Sequence, residues 1–552
     1  MKKLKISFQL LLLAVMAVSC SDSFLDLKQP IDPTLETYYT DTATAYKGLI
    51  GCYNSLQQYD RAEAPNLVNF QIDTRSDDID YGGDPKQADQ TNNQMFSNFI
   101  IFSDNSLVSQ LWTSCFWGVN TTTKYLEGIQ NLTLTPSQQV LVDQYKAEAK
   151  FIRAFMFFKL VRAYGGVPVI TKSLAPSEWY QQRRATEAEV YAQIYKDLRE
   201  AIPALPLKST YTAAQTHRIS KAAAQALFAK VLITEAGVNA SSPNWTEAYN
   251  LCKEVETSAK YNLNTAFKDI WGLNGQFTSE SVFDIVYNPD IKSENDSYNH
   301  YMSPRFVFKG TAIDDSKKMK YGFGVTCVTQ ELASEFGYTP NGFASSTTLQ
   351  KADSVAYVDM NDGRGRYTFW TRWDTFGGVR VVDELNTRTQ TKNTVNTDDG
   401  AYMTRKYNRP APATAGYADI VGTNYHVIRY AEVLLIAAEA AYYKSDEPEA
   451  RRLVNLVRER AFRDAIAANR VTLDGIKITS SGNQLLQDIW KERRLELAGE
   501  GDRFYDLKRT NRLSILKTKK PEILYQDGKH ELLPIPSTEL TRAPYITQNP
   551  NY

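Results

Sequence analysis

Over two long stretches of this 552-residue chain, apolar residues recur every three to four positions, and between them the spacing fades. That pattern restricts the fold more than any other feature, because a 3.6-residue period places the apolar side chains on one helix face. Over residues 139–164, Leu141, Tyr145, Ala149, Ile152, Met156 and Leu160 fall together, with Lys146, Glu148, Lys150, Arg153 and Arg162 between them. The spacing predicts a long amphipathic helix, stopped by Gly165-Gly166 and Pro168. Further helices are predicted over 186–201, over the alanine-rich 220–236, and after Pro243. Periodicity returns at 430–443 and 449–462, two helices of about 33 residues in all, the length of a tetratricopeptide-type hairpin. Another helix covers 483–499, and the tail from Leu533 is Pro-rich and expected to be non-helical. The expected class is mainly α, with tetratricopeptide-like helix pairs in a superhelix packed against an irregular part with little strand.

Between about 261 and 425, Gly, Asn, Asp, Thr and aromatic residues rise, and only short strand-like runs such as 281–287 appear. A loop-rich stretch of that length is functional or forms a subdomain. Lys plus Arg and Asp plus Glu number 63 each, which removes the broad electrostatic reason to expect a nucleic-acid partner. The chain has 33 Tyr, 24 Phe and 8 Trp, and an excess of rings with polar tips suits wet recognition surfaces. Its four histidines, His217, His300, His426 and His530, are isolated, and there is no GxSxG, HExxH or P-loop.

The first residues have the layout of an export signal: Lys2, Lys3 and Lys5, then an apolar run from Ile6 to Val18 that is too short to span a bilayer. Ala17-Val18-Ser19-Cys20 resembles a bacterial lipobox, which predicts a signal peptide at 1–19 and acylation of Cys20. Acyl chains at about 0.8 kcal/mol per buried CH₂ would anchor a soluble body. Loss of 1–19 removes three lysines and leaves a formal charge of −3, so electrostatic adhesion to an anionic surface is not the expected anchor. Cys52, Cys115, Cys252 and Cys327 form no CxxC pair; buried free thiols are expected, although two disulfides are conceivable in an oxidising compartment.

A sugar ring presents a flat CH face and a rim of hydroxyls, so its binder needs exposed aromatic planes edged by Asn, Asp, Gln or Arg. Two regions supply that mixture. The first, 73–93, reads as a surface loop and offers Asp78, Tyr81 and Asn93. Its acidic run could instead hold calcium through oxygens, but it lacks EF-hand spacing, and a solvated loop is the commoner meaning of such a run. No cofactor is expected. The second region is the irregular middle, with Tyr298, Tyr301, Tyr321, Trp370 and Trp373. Any one of these rings is more often core than ligand platform; at least one is expected to belong to a platform. Trp179-Tyr180 is a weaker candidate.

Several blocks, in order, resemble the SusD/RagB family of cell-surface nutrient-binding lipoproteins. They are Cys20-Ser-Asp-Ser-Phe-Leu-Asp; Ala147 to Ala154 running on to Tyr164-Gly-Gly-Val-Pro168; Arg218 to Ala223; Arg429 to Leu435; and Glu492 to Arg509, followed by Pro534-Ile-Pro536 and Gln548-Asn-Pro-Asn-Tyr552. The resemblance implies a single unit over 20–552: a helical part at 20–260, a loop-rich ligand side at 261–427, and C-terminal helices with the Pro-rich tail at 428–552. It also implies a lipid-anchored, outer-membrane protein exposed at the cell surface. Such proteins bind an oligosaccharide, or in some members a peptide, and deliver it to a SusC-like TonB-dependent transporter in Bacteroidota polysaccharide utilisation. Trp112 and Asn120 match a family helix and read as fold residues. Glu492, Glu496 and Glu500 could be taken for a catalytic set, but opposite charges such as Arg493 and Glu496 at helical spacing suggest a partly buried ionic network instead. A secreted glycosidase and a protein-only tetratricopeptide scaffold are the alternatives.

Overall fold

The computed structural model describes residues 35–61, 68–81, 91–271, 275–287, 326–338, 361–370, 375–376, 379–380, 403–406 and 423–552. Six longer helices precede the irregular part: α1 Thr42–Arg61, α2 Ser106–Gly128, α3 Pro136–Tyr164, α4 Glu187–Ala201, α5 Lys221–Ala236 and α6 Asn244–Thr257. α7 Tyr430–Tyr443, α8 Glu447–Ala461, α9 Gly482–Glu496 and α10 Arg503–Arg509 follow it. α1 packs on α2, α3 on α4, α5 on α6 and α7 on α8, and the pairs join through α2–α3, α4–α5 and α6–α7. Each pair covers the apolar face of the next, the nearest-neighbour logic of a helical solenoid. The fold is mainly α, as the periodicity predicts. No described helix is long and apolar enough to cross a membrane.

Caps explain why two helices start earlier than their apolar spacing indicates. The Thr135 side chain and Gln138 form a capping box with Pro136 in the first turn, so α3 begins at Pro136. The Asp446 carboxylate accepts the Glu449 N–H at 3.2 Å, so α8 begins at Glu447. α3 ends at Gly165, whose φ of 72° suits glycine. Gly166 is required for a different reason: a Cβ there would lie 2.1 Å from the Ala185 carbonyl oxygen.

The structure corrects two expectations. α3 is amphipathic only at its start. From Phe151 to Tyr164 it is buried on every side, and Glu148, Arg153 and Arg162 are buried too. Arg153 meets Asp197 at 2.7 Å, Arg162 meets Asp502 at 2.8 Å, and Glu148 pairs with Arg218. Charged residues between apolar ones mark a solvent face only when no opposite charge is brought from elsewhere in the chain. The tail is not wholly non-helical either: Ser537–Arg542 forms a short helix between Pro536 and Pro544. A proline just ahead of a first turn sacrifices no helical hydrogen bond.

The irregular part is clamped at its base. Strand β2 (Ser281–Ile285) pairs antiparallel with β8 (Tyr425–Arg429), aligning Ile285 with Tyr425 and Ser281 with Arg429. The predicted strand run at 281–287 is therefore the outgoing side of a two-stranded neck, and β8 leads straight into α7. Beyond the neck, β1 (Ile79–Tyr81), β3 (Thr326–Val328), β7 (Met403–Thr404) and β4 (Phe369–Trp370) form a sheet in the order β1-β3-β7-β4. β5 (Thr375–Phe376) and β6 (Val379–Arg380) form a separate hairpin. A second apolar core, including Ile79, Val328, Leu332, Phe336, Phe369 and Leu495, seats this sheet on the end of α9. Cys52, Cys115, Cys252 and Cys327 are buried free thiols.

Candidate ligand-binding face

Register fixes how the candidate segments meet. Tyr81 lies opposite Thr326, and Phe369 opposite Thr404. In the neighbouring row Asp80 aligns with Cys327, Cys327 with Met403, and Met403 with Trp370. The Thr326 and Thr404 hydroxyls meet at 2.8 Å across the middle of the sheet. β1 and β4 are the two edges, three strand spacings or about 14 Å apart. Segment 82–90 leaves from Tyr81, and 288–325 arrives at Thr326 directly opposite. Segment 371–374 leaves from Trp370, and 381–402 arrives at Met403 beside it. Four stretches from three separate parts of the sequence thus have their roots on one small sheet. Tyr298, Tyr301, Tyr321 and Trp373 lie on these stretches, outside the described residues; Cys20, near the N-terminus, is outside them too, and for Trp370 only the backbone register is described.

The three remaining candidates are in the floor. Asn93 brings its amide nitrogen 3.4 Å from the Tyr81 hydroxyl, and both residues are buried. Asp78 is completely buried, so 73–93 does not begin as the surface loop expected: Asp73 through Asp78 are all inside. The cause is charge supplied from more than 400 positions along the chain. The Asp77 carboxylate accepts two hydrogen bonds from the Arg503 guanidinium, each 2.8 Å long, and Asp78 accepts one from Arg494 at 2.7 Å. Burial works against the charged form of Asp77, yet Arg503 and Arg494 hold its carboxyl well below the usual range. Asp73 accepts the backbone N–H groups of Gly501 and Arg503, each at 3.0 Å, although burial pushes its carboxyl up to about 8. Asp77 and Asp78 therefore direct oxygens at guanidinium groups where calcium was the alternative, and no group of three metal-ligating side chains occurs among the described residues.

The same ionic core accounts for the carboxylates at the end of α9. Glu496 is fully buried, 2.9 Å from Arg429 and 3.2 Å from Arg364, and it also pairs with Arg460. Glu500 lies 2.7 Å from both Arg429 and Lys406, and Glu492 is 2.7 Å from Arg364. Burial opposes ionisation, but the surrounding cations hold the Glu496 and Glu500 carboxyls low. All three carboxylates are buried and paired with arginine or lysine. The expected network exists, with different partners: Arg493 bonds Glu432 and Asp506, each at 2.7 Å, rather than Glu496 at helical spacing.

Trp179 and Tyr180 lie apart from the sheet. They flank α2 beside Trp112 and Asn120, the two residues expected to serve the fold, and Trp117 completes the cluster. A signal for Trp117 was present. Its position falls off the buried stripe Leu111, Trp112, Cys115, Val119, and a large ring off the core face of a helix is 43% exposed.

Two family descriptions match most of the chain: "SusD family" over 279–552 and "Starch-binding associating with outer membrane" over 23–233. SusD-like protein P2 of Formosa agariphila is 27% identical, with all of both chains aligned. A SusD-like protein of Bacteroides ovatus is 22% identical over 90% of this chain and 80% of its own. Among solved structures, a laminarin-binding SusD-like protein superposes with a TM-score of 0.70 at 25% identity, covering 93% of this chain and all of its own. A SusD homolog from Bacteroides thetaiotaomicron reaches 0.74 at 21% identity, covering 94% of this chain and 98% of its own, a likeness of fold.

Proposed function

We propose a function from the premise that this chain belongs to the SusD-like family: it binds oligosaccharide at the face rooted on the β1-β3-β7-β4 sheet and passes it to a SusC-like TonB-dependent transporter. The observation that carries this reading is the convergence of the aromatic-bearing segments on Tyr81–Thr326 and Trp370–Met403, at the two edges of one sheet. Aromatic rings with Asn, Asp and Arg near them suit a chain of neutral sugar units, whose CH faces stack and whose hydroxyls take polar edges. A relative described as laminarin binding supports carbohydrate over peptide.

The ligand leaves unaltered. Glu492, Glu496 and Glu500 are committed to arginine and lysine, so none is free to protonate a leaving group or activate water. The body is held at the outer membrane by acylated Cys20, with 1–19 removed as signal peptide, and it works at the cell surface as a lid on its transporter. No cofactor takes part.

The test is calorimetric titration of residues 21–552 with laminarihexaose and maltohexaose, alongside an assay for released reducing sugar. Binding without release is expected, with Tyr301→Ala and Trp373→Ala weakening it and leaving the melting temperature unchanged. Turnover abolished by one carboxylate substitution would identify a glycosidase instead.

A further inference from the structure

A cavity of about 490 Å³ opens between the middle of α2, the 168–182 segment that follows α3, and the short C-terminal helix Ser537–Arg542. None of these elements contributes to the β1-β3-β7-β4 sheet. Its volume lies in the range of small-molecule sites, about 300–1,000 Å³.

Its floor is fixed. Trp112 is only 4% exposed, stands edge-on to Tyr164 at 5.1 Å and rests against Phe116 at 4.8 Å. Its walls are open rings. Trp117 is 43% and Tyr180 52% exposed, with Trp179 half-buried beside them. Bare aromatic planes of this size, gathered around one hollow from two distant segments, need a reason in a protein that buries most of the rings among its described residues. Polar groups edge the hollow. Asn120 lines it, and its side-chain amide makes no hydrogen bond among the described residues. Gln182 donates to the Glu178 carbonyl at 2.9 Å, which leaves its own amide oxygen available. Glu539 and Arg542 lie together on the rim with opposite charges, so the site has no net charge.

Aromatic faces around a rigid indole floor, uncommitted amides and a neutral rim match a sugar ring better than an ion or a purely apolar ligand. We infer that this cavity is a second carbohydrate site, taking the end of a neutral oligosaccharide independently of the loop face. A chain held at two separate places would gain effective concentration at the loop face without a new contact there.

The eight tryptophans allow each site to be watched separately. The full mature chain labelled with 5-fluorotryptophan is titrated with laminarihexaose, maltohexaose, xylohexaose and mannohexaose, following ¹⁹F resonances assigned by single Trp→Phe variants. At least one of these sugars is expected to shift Trp117 and Trp179. The paired change Trp117→Ala and Tyr180→Ala, at exposed positions, is expected to weaken that event about tenfold or more and to leave the shifts of Trp370 and Trp373 intact. Trp373→Ala is expected to do the reverse. If sugars move only Trp370 and Trp373, the second site is wrong and the loop-face function stands. If they move only the cavity resonances, the second site stands and the loop-face assignment fails. If none of the four sugars moves Trp117 or Trp179, or if only an alanine hexapeptide does, the cavity is not a carbohydrate site.

Discussion

Arg429 closes the neck of the irregular part and places its guanidinium 2.9 Å from Glu496, at the end of α9. Arg429 also reaches Glu280 at 3.1 Å and Glu500 at 2.7 Å, while Glu496 reaches Arg364 at 3.2 Å. One buried ionic network centred on this pair therefore joins the outgoing side of the neck, its return, the irregular part and the C-terminal helices. Truncating one side of such a pair leaves uncompensated charge in the interior. Glu496→Leu removes one carboxylate shared by Arg429, Arg364 and Arg460, leaves the buried cluster with excess positive charge, and should destabilise the fold by about 3–5 kcal/mol. Urea unfolding measures it; a loss below about 1 kcal/mol would show that the network is not what holds the irregular part to the helices.

Asp78 provides a sharper contrast between framework and binding. Because its carboxylate is buried against Arg494, Asp78→Asn should lower stability by about 2–3 kcal/mol and leave oligosaccharide affinity within about twofold. A folded variant with affinity down tenfold would return Asp78 to the ligand surface.

His530 should shape the acid limb of the stability curve. Its Nδ1 accepts the Gln526 N–H at 2.9 Å, and burial together with the nearby Arg75 and Lys529 charges pushes the ring down to about 3. The unfolded ring titrates near 6.5. Its folded value is depressed, so its contribution is fully present above pH 6.5 and is lost as pH falls toward 3, where the unfolded chain binds a proton that the folded one refuses. His530→Asn keeps an acceptor and removes the titration. Between pH 6 and 4 its stability should fall less steeply than the parent's, by up to about 1.4 kcal/mol per pH unit. Parallel curves from denaturant melts would contradict this.

Cys20 carries the membrane assignment. Cys20→Ala should move the protein from the outer-membrane fraction to the soluble periplasm, without changing its melting temperature or its oligosaccharide affinity. Retention of the variant with the membrane would mean that something other than acyl chains anchors it.

The single helices α3 to α9 were readable from sequence because each is local: its apolar stripe, its cap and its stop all lie within about thirty residues. Thr186 with Glu189 is such a signal, and so is Gly165-Gly166. Of the candidate site, the sequence offered composition alone. Aromatic composition marked the segments around Tyr81, Tyr301 and Trp373, but it could not separate Asp78, which is buried, from a surface acid.

What the sequence by itself determined is the alternation of helical and irregular stretches and the family blocks, because backbone propensity, apolar period and capping act over short distances. Only the tertiary structure decided which charges are buried and which rings are left bare. Arg494 and Arg503 turn an apparent surface loop into floor, and the segments bearing Trp117 and Trp179 form a cavity only when α2 and 168–182 meet. The reason is electrostatic and steric: a carboxylate can be buried only where a distant cation arrives, and a ring stays exposed only where no neighbour packs over it.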